Sequence, residues 1–347
     1  MRYKLFGNHT GLRVSEFALG TGNFGTGWGY GSTPDVVRPI FDAYAEAGGN
    51  FIDTADSYQF GQSETIIGDF IAPERDNFVL ATKYSHGASA NAGPLVVGNS
   101  RKSMIQAVEA SLKRLKTDRI DLLWVHMSDE MTPIEEIVRG LDDLVRAGKI
   151  IYSGFSNFPA WRIASGATIA SLRGWTPVAG LQTEYSLVER SAERELLPMA
   201  KGFGLGVVGW SPLGGGLLTG KYRRGEEGRA TGLGAVIQHE DSSQRSAIID
   251  EVLAIATEIG ATPSQVGIAW VAARGVTPII GPKTLEQLRD NMGAVALVLS
   301  EAHIDRLNRV SVVSLGAPHE LLADIRTRQR LAGGKLELLN LSSTPLI

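Results

Sequence analysis

Two kinds of apolar pattern alternate along this chain. Short continuous runs at residues 17–20, 50–54, 78–82, 121–125, 151–155, 179–183, 206–210 and 277–281 are too brief for helices and read as strands buried on both faces. Between them, apolar positions recur every three or four residues. In the stretch 100–118, Met104, Ile105, Val108, Leu112 and Leu115 fall on one helical face, with Asn99 or Ser100 as the N-cap. The same spacing predicts helices over 35–47, 134–147, 193–201, 246–258 and 284–295. Strands buried on both faces and separated by helices imply a parallel sheet of the α/β class. Eight such units predict closure into a single (β/α)8 TIM barrel.

Three pieces fall outside the eightfold pattern. Residues 1–16, in which Asn8-His9-Thr10-Gly11 separates KLFG from LRVSEF, read as a β-hairpin placed to cap the barrel floor. The interval 213–246 is long, with glycine-rich and charged stretches, and loops of that length are usually functional or mobile. Residues 317–347 have weak periodicity and are expected to form a C-terminal extension packing on a barrel domain of residues 1–316.

Composition narrows the chemistry. A length of 347 residues suits one barrel, and 43% hydrophobic with 20% charged residues supplies a core and argues against disorder. The net charge of -3 offers no broad positive field, so neither nucleic acid nor anionic lipid is an expected partner. The absence of cysteine excludes disulfides, thiolate nucleophiles and thiolate-bound zinc. The start MRYKLFGNHTGLRV has no apolar leader, and no run approaches the roughly 18 apolar residues of a membrane span. A cytoplasmic protein acting on a small molecule is expected, with oligomeric state unreadable.

One motif misleads. Gly20-Thr21-Gly22-Asn23-Phe24-Gly25 fits G-x-G-x-x-G after a strand, the fingerprint of a Rossmann dinucleotide fold. That fingerprint needs its last glycine to open a helix. Here the chain runs on through Gly27, Gly29 and Gly31 to Pro34, and a mobile loop over the barrel mouth is the expected structure.

Four ionisable groups carry the functional signal. Asp53 ends the second predicted strand, Tyr58 follows in the next loop, Lys83 ends the third and His126 the fourth. Each alone has an ordinary explanation in a cap, an ion pair or packing. Adjacent strands lie about 4.8 Å apart, so successive strand ends can focus long side chains on one point, on the face where barrels build active sites. A phenol titrates near 10, and a neighbouring ammonium favours its phenolate form. Lys83 would supply that ammonium, Asp53 would keep it charged, and His126 would bond the substrate oxygen. A phenol so placed protonates the alkoxide formed when hydride reaches a carbonyl carbon.

The segments FIDTADSY, VLATKY, DLLWVHMSD, YSGFSN, LQTEYSL, GWSPLGGGLLTGKY and IIGPKTLEQLRDN resemble, in order, the signature segments of the aldo-keto reductase superfamily. HMSD followed by Thr132-Pro133-Ile134-Glu135-Glu136 is similar to its aryl-alcohol-dehydrogenase-like branch. The resemblance implies an NADP(H)-dependent oxidoreductase in which Tyr58 is the proton donor and Asp53, Lys83 and His126 complete a tetrad. It implies Ser156, Asn157 and Gln182 as partners of the nicotinamide carboxamide, with Thr21 also at the cofactor. Trp210 would stack on the nicotinamide ring, although an aromatic at that strand end is equally mouth packing. Ser211, Leu213, Gly215, Gly216, Leu217 and Lys221 would wrap the pyrophosphate. Gly281, Lys283 and Thr284 open a helix whose N-terminus favours a 2′-phosphate, with Gln287, Asn291 and Asp290 towards the adenosine.

Two departures from the family pattern stand out. Met127 follows the histidine where many members carry tryptophan, and Arg289 is displaced by two residues from the arginine that several use on the 2′-phosphate. Trp28, Tyr84 and Met127, with Tyr30, His86 and Trp124 near them, are candidate walls of a pocket for an aromatic or hydrophobic aldehyde or ketone. Two other functions fit the same fold: a Schiff-base aldolase using Lys83, and a non-enzymatic nicotinamide-sensing barrel like the ion-channel β subunits.

Overall fold

A computed structural model describes residues 1–226 and 238–340. Strands β1 (Tyr3–Leu5) and β2 (Arg13–Ser15) form an antiparallel hairpin with Tyr3 opposite Ser15. The next eight are β3 (Ala18–Gly20), β4 (Phe51–Asp53), β5 (Val79–Tyr84), β6 (Ile120–Val125), β7 (Ile150–Ser156), β8 (Val178–Glu184), β9 (Gly206–Trp210) and β10 (Thr277–Ile280). They close into a parallel barrel in chain order, with β10 pairing back to β3. Every predicted strand is present, displaced at its ends by two residues at most.

The predicted helices appear as Pro34–Glu46, Arg101–Leu115, Ile134–Arg146, Leu196–Gly202, Ser243–Ile259 and Leu285–Gly293. Ser100 caps the second of these, its hydroxyl accepting from the Ser103 amide. Helices Gln62–Ile71, Ala160–Arg173, Pro263–Ala273 and Glu301–Val310 were not foreseen. In Pro263–Ala273 the cause is plain: Val266 to Val271 are all buried, so no polar face gives the helix a period.

The interior of the barrel explains where the functional end lies. Side chains alternate across each strand, and Phe51, Val79, Ala81, Leu122, Trp124, Val208 and Ile279 form one inner cluster with Phe6 of the hairpin. Phe6 is 1% exposed and meets Phe51 and Trp124 edge-on, with ring centroids 5.8 Å and 6.2 Å away. The hairpin therefore plugs the floor. The plug fits because Gly180 has no side chain: a Cβ there would lie 2.6 Å from the Phe6 ring. Gly180→Ala is expected to lower unfolding free energy by about 1–3 kcal/mol through overpacking, read as a lower urea midpoint. An unchanged midpoint would mean that the floor can shift.

With the floor filled, the next inward position on each strand lies at the open end. Two residues beyond Phe51, Ala81, Trp124, Gly154, Gly180 and Val208 stand Asp53, Lys83, His126, Ser156, Gln182 and Trp210.

Of the predicted long interval 213–246 and extension 317–347, residues 227–237 and 341–347 lie outside the described residues. On the far side of the first gap, Gln238 Nε2 donates to Glu184 Oε1 at 3.2 Å, beside the end of β8. Near the start of the extension, Arg194 donates to the Ser314 carbonyl at 2.9 Å, and His319 Nε2 lies 2.8 Å from Glu195 Oε1. Farther on, Leu321, Leu322, Ile325, Leu331 and Leu338 are exposed. No described helix is long and apolar enough to cross a membrane.

Candidate active site

The chain leaves β4 at Asp53 and turns tightly, with Gln59 and Phe60 in the left-handed region at φ 52° and 55°. This turn aims Tyr58 at the end of β5. There Lys83 Nζ lies 2.5 Å from Asp53 Oδ2, 2.8 Å from the Thr54 carbonyl oxygen and 3.1 Å from Tyr58 Oη. Lys83 is 1% exposed. Burial works against its ammonium, but the charge of Asp53 and the neighbouring Tyr58 outweigh it and hold Lys83 above the usual lysine range. The other oxygen of Asp53 accepts from Gln182 Nε2 at 2.8 Å. Since β4 and β8 stand opposite one another in the barrel, that bond spans the mouth and fixes the carboxylate from both sides.

His126 follows β6, its ring edge-on to Tyr58 at 6.1 Å and to His86 at 4.6 Å. Burial, then Lys83 and His86, push it well below the usual imidazole range, so it is neutral at physiological pH. Its Nδ1 is buried without a hydrogen-bond partner among the described residues, which leaves Nε2 as the nitrogen able to meet a ligand. The structure thus brings together all four groups that the sequence singled out.

Around them lies a second ring of predicted residues. Asn157, at φ 53°, donates to the His126 carbonyl at 3.0 Å and to Ser156 Oγ at 3.1 Å, and its Oδ1 accepts from Trp210 Nε1 at 3.3 Å. The indole of Trp210 is therefore tethered at its edge. Beyond Ser211 (φ 52°) and the half-buried Leu213, the turn Gly214–Thr219 holds Gly215 and Gly216 at φ 67° and 95°, while the side chain of Leu217 is buried in the core. A Cβ on Gly216 would lie 3.1 Å from Lys221 Nζ, so that ammonium rests against the turn. Burial, and to a smaller degree the like charge of Lys283, lower the pKa of Lys221. Lys283 Nζ in turn lies 4.4 Å from the centre of the Tyr30 ring. Thr284 caps helix Leu285–Gly293 by accepting from the Gln287 amide at 3.2 Å, and Gln287 Oε1 accepts from the Lys283 amide at 2.8 Å. Gly281 beside them has open space, the nearest atom to a Cβ being the Gly20 oxygen at 3.9 Å. Asn291 is buried in the same helix.

Several predicted residues stand elsewhere. Tyr84 is wholly buried among Met104, Val108 and other residues of the layer between strands and helices. It adjoins Lys83 on β5, and alternation turns it outward when Lys83 points inward. Trp124 belongs to the inner cluster one layer below the mouth. Asp290 Oδ1 accepts from Thr262 Oγ1 at 2.7 Å and Gln265 Nε2 at 3.2 Å, tying two helices together. Thr21 is buried, its hydroxyl bonded to the Asp53 carbonyl at 3.2 Å and to Ser63 at 2.8 Å. Trp28, by contrast, is half-buried and edge-on to Tyr58 at 5.9 Å, and Met127 is 43% exposed at the rim.

The sequence reading missed the residue that organises the glycine-rich loop. The side chain of buried Gln59 donates to the carbonyls of Gly22 at 2.7 Å and Tyr30 at 2.9 Å, and accepts from the Trp28 amide at 3.0 Å. Gln62 accepts from the Thr26 amide at 2.8 Å, and Asn23 donates to the Gly281 carbonyl at 3.1 Å. The loop expected to be mobile is thus fastened at several points. Its glycines serve close packing: a Cβ on Gly27 would lie 2.6 Å from the Gln59 carbonyl oxygen, and one on Gly31 2.1 Å from that of Gly25. The only available signal was a glutamine next to Tyr58, which nothing in the local pattern marks as buried.

Comparison with known proteins bears on this geometry. The chain is 39% identical over 321 residues to the uncharacterized oxidoreductase YrpG of Bacillus subtilis, covering 89% of this chain and 96% of that protein. It is 35% identical over 338 residues to norsolorinic acid reductase of Aspergillus flavus, covering 94% and 85%. It is 34% identical over 342 residues to the putative aryl-alcohol dehydrogenase AAD14 of Saccharomyces cerevisiae, covering 93% and 90%. The model of the aldo/keto reductase family matches residues 16–312, from just before β3 to beyond the last barrel helix. A match of that extent, over a closed eight-stranded barrel whose rim gathers the tetrad, means that this chain belongs to the aldo/keto reductase family.

Proposed function

We propose that the protein is an NADP(H)-dependent oxidoreductase that reduces an aromatic or otherwise hydrophobic aldehyde or ketone to its alcohol, with Tyr58 as general acid. The observation that supports this most is the single ammonium of Lys83, bonded at once to Asp53 at 2.5 Å and to Tyr58 at 3.1 Å. When bound, the reduced nicotinamide supplies hydride to the carbonyl carbon. The chain's own residues manage the oxygen. Neutral His126 offers Nε2 to the carbonyl oxygen and holds it towards Tyr58. The phenol gives its proton to the oxygen as alkoxide forms, and Lys83 stabilises the phenolate left behind. Asp53, fixed by Gln182, keeps Lys83 charged and aimed. The same charge opposes a Schiff-base role for Lys83, which needs a neutral amine.

The mouth fits a nicotinamide dinucleotide by the chemistry of its donors. Ser156, Asn157 and Gln182 would hold the carboxamide and Trp210 would face the ring. Ser211, Leu213, Gly215, Gly216 and Leu217, with Lys221, would hold the pyrophosphate, chiefly through backbone in the case of buried Leu217. Burial, and behind it the like charge of Lys283, disfavours the ammonium of Lys221, and an anion bound beside it would relieve that. Lys283 and Thr284, beside Gly281 at a capped helix N-terminus, suit a 2′-phosphate, with Gln287 and Asn291 on the adenosine side. Thr21 and Asp290 are left out, because the hydroxyl of one and a carboxylate oxygen of the other already serve structural bonds. Trp28 and Met127 border Tyr58 and His126 on the substrate side, and relatives named aryl-alcohol dehydrogenases agree with an aromatic substrate.

Following the reduced-nicotinamide absorbance with NADPH and NADH against aromatic, aliphatic and sugar aldehydes tests the reaction. Absence of turnover with every carbonyl, despite tight cofactor binding, would favour the sensing barrel instead. For the cofactor, Lys283→Ala is expected to raise the Kd for NADPH by roughly 10- to 100-fold, the worth of a charge-assisted bond, and to change that for NADH little. Equal losses in fluorescence titrations would contradict the 2′-phosphate assignment.

A further inference from the structure

A second buried charge cluster lies beside the Tyr58 turn, and the reaction just described does not use it. Asp56 is 2% exposed, and its Oδ1 has no hydrogen-bond partner among the described residues. Its backbone N–H donates to the Lys83 carbonyl at 3.1 Å, which ties the turn to β5. Glu64, on helix Gln62–Ile71, is wholly buried. Its Oε1 accepts from the Thr82 hydroxyl at 2.6 Å and its Oε2 from Arg114 Nε at 2.6 Å. The charged groups acting on Asp56 are thus Glu64, Arg114 of helix Arg101–Leu115, and Lys83 of β5. Arg114 is committed to Glu64, and Lys83 to Asp53. Two buried carboxyls therefore lie near one guanidinium, and among the described residues Asp56 is the one left without a direct cation.

We infer that Asp56 is a positioning residue for the proton donor, acting through Lys83: the charge on its carboxyl decides how far the ammonium supports the Tyr58 phenolate. The inference rests on the general-acid reading of Tyr58. An ionised Asp56 adds a negative charge that disfavours phenolate, and a protonated one does not. Burial, then Glu64, push Asp56 up to about 7, against the opposing pull of Arg114 and Lys83. The change of charge accordingly falls in the neutral range. Reduction draws on the protonated phenol and alcohol oxidation on the phenolate, so Asp56 biases the site towards reduction as pH rises past neutrality.

The same burial has a stability consequence. The folded value lies above the roughly 3.9 of an unfolded aspartate. Stability from the protonated form is therefore complete below about pH 4 and is lost as pH climbs to about 7. The Tm of Asp56→Asn, which cannot ionise, should gain on wild type across that interval and stay level above it.

The deciding experiment follows the phenol directly. In cofactor-loaded protein carrying tyrosine labelled with 13C at Cζ, Tyr58 is the one of eight resonances that vanishes in Tyr58→Phe. In Asp56→Asn its titration midpoint should fall by about one pH unit, the effect of one charge across a partly buried separation. The pH at which alcohol oxidation rises, and at which carbonyl reduction falls away, should move with it. A purely structural Asp56 would change Tm alone, and an unmoved midpoint overturns the inference even where Tyr58→Phe abolishes turnover. A Tyr58→Phe variant that kept its turnover would instead overturn the general-acid reading and leave Asp56 nothing to position. Should Asp56→Asn not fold, Asp56→Ser removes the same charge and is read the same way.

Discussion

Replacing Tyr58 with phenylalanine is expected to lower kcat for carbonyl reduction by about 10²- to 10⁴-fold, the usual worth of a positioned general acid, while the Kd for NADPH stays within a few-fold. The change deletes one oxygen. The ring keeps its edge-on contact with Trp28 and its place under the Lys83 ammonium, 4.6 Å from the ring centre, so the pocket wall survives. What disappears is the one hydroxyl among the described residues that bonds Lys83, and with it the proton for the alkoxide. Hydride transfer without protonation leaves charge on an oxygen that neutral His126 alone must support. Pre-steady-state decay of NADPH absorbance, set beside a fluorescence titration of the cofactor, separates the two effects. A variant with near-native kcat would sink the assignment of Tyr58.

Lys83→Met should cost more than catalysis. The side chains of Lys83 and Asp53 are 0% and 2% exposed, and removing one partner of a buried ion pair leaves the other uncompensated at a cost of about 3–5 kcal/mol. Gln182 would remain as a donor to one oxygen of Asp53, which softens the loss without cancelling it. Urea unfolding should show a lower midpoint, and turnover should fall with it. The combination Lys83→Met with Asp53→Asn separates the causes. Neutralising the stranded carboxylate should recover most of the stability and none of the turnover. If the double variant regains activity, the ammonium is not needed by the phenol and the pair is structural.

The strands and about half of the described helices were legible in the pattern of apolar positions. A barrel strand is buried on both faces, and a short unbroken apolar run has few other uses. The tetrad was legible for a related reason. Charged and polar residues directly after such runs, on Asp53, Lys83 and His126, break a pattern that burial otherwise enforces. The hairpin plug was legible in outline, but the fit of Phe6 over Gly180 was not, because it joins residues far apart in the chain.

Other features depended on facts that no local pattern contains. Tyr84 follows Lys83 directly, and the reading that placed both at the mouth ignored the alternation that sends adjacent strand side chains to opposite sides. Asp290 was read for its position on a helix that meets the cofactor, whereas its partners Thr262 and Gln265 sit on a neighbouring helix whose uniform burial hid it. Gln59 reaches from its turn into the glycine-rich loop, while Asp56, Glu64 and Arg114 come together from that turn and two helices, one of which the spacing did not reveal.

Periodicity therefore determined the class of fold, the order of its strands and the end at which chemistry collects, because burial imposes a repeat that can be counted along one dimension. Which side chains share a hydrogen bond, and which buried acid lacks a cation, was decided only when the strands closed into a ring. That closure sets groups 129 residues apart, such as Asp53 and Gln182, within 2.8 Å of each other, and polar energies vary over distances far shorter than any repeat in the chain can specify.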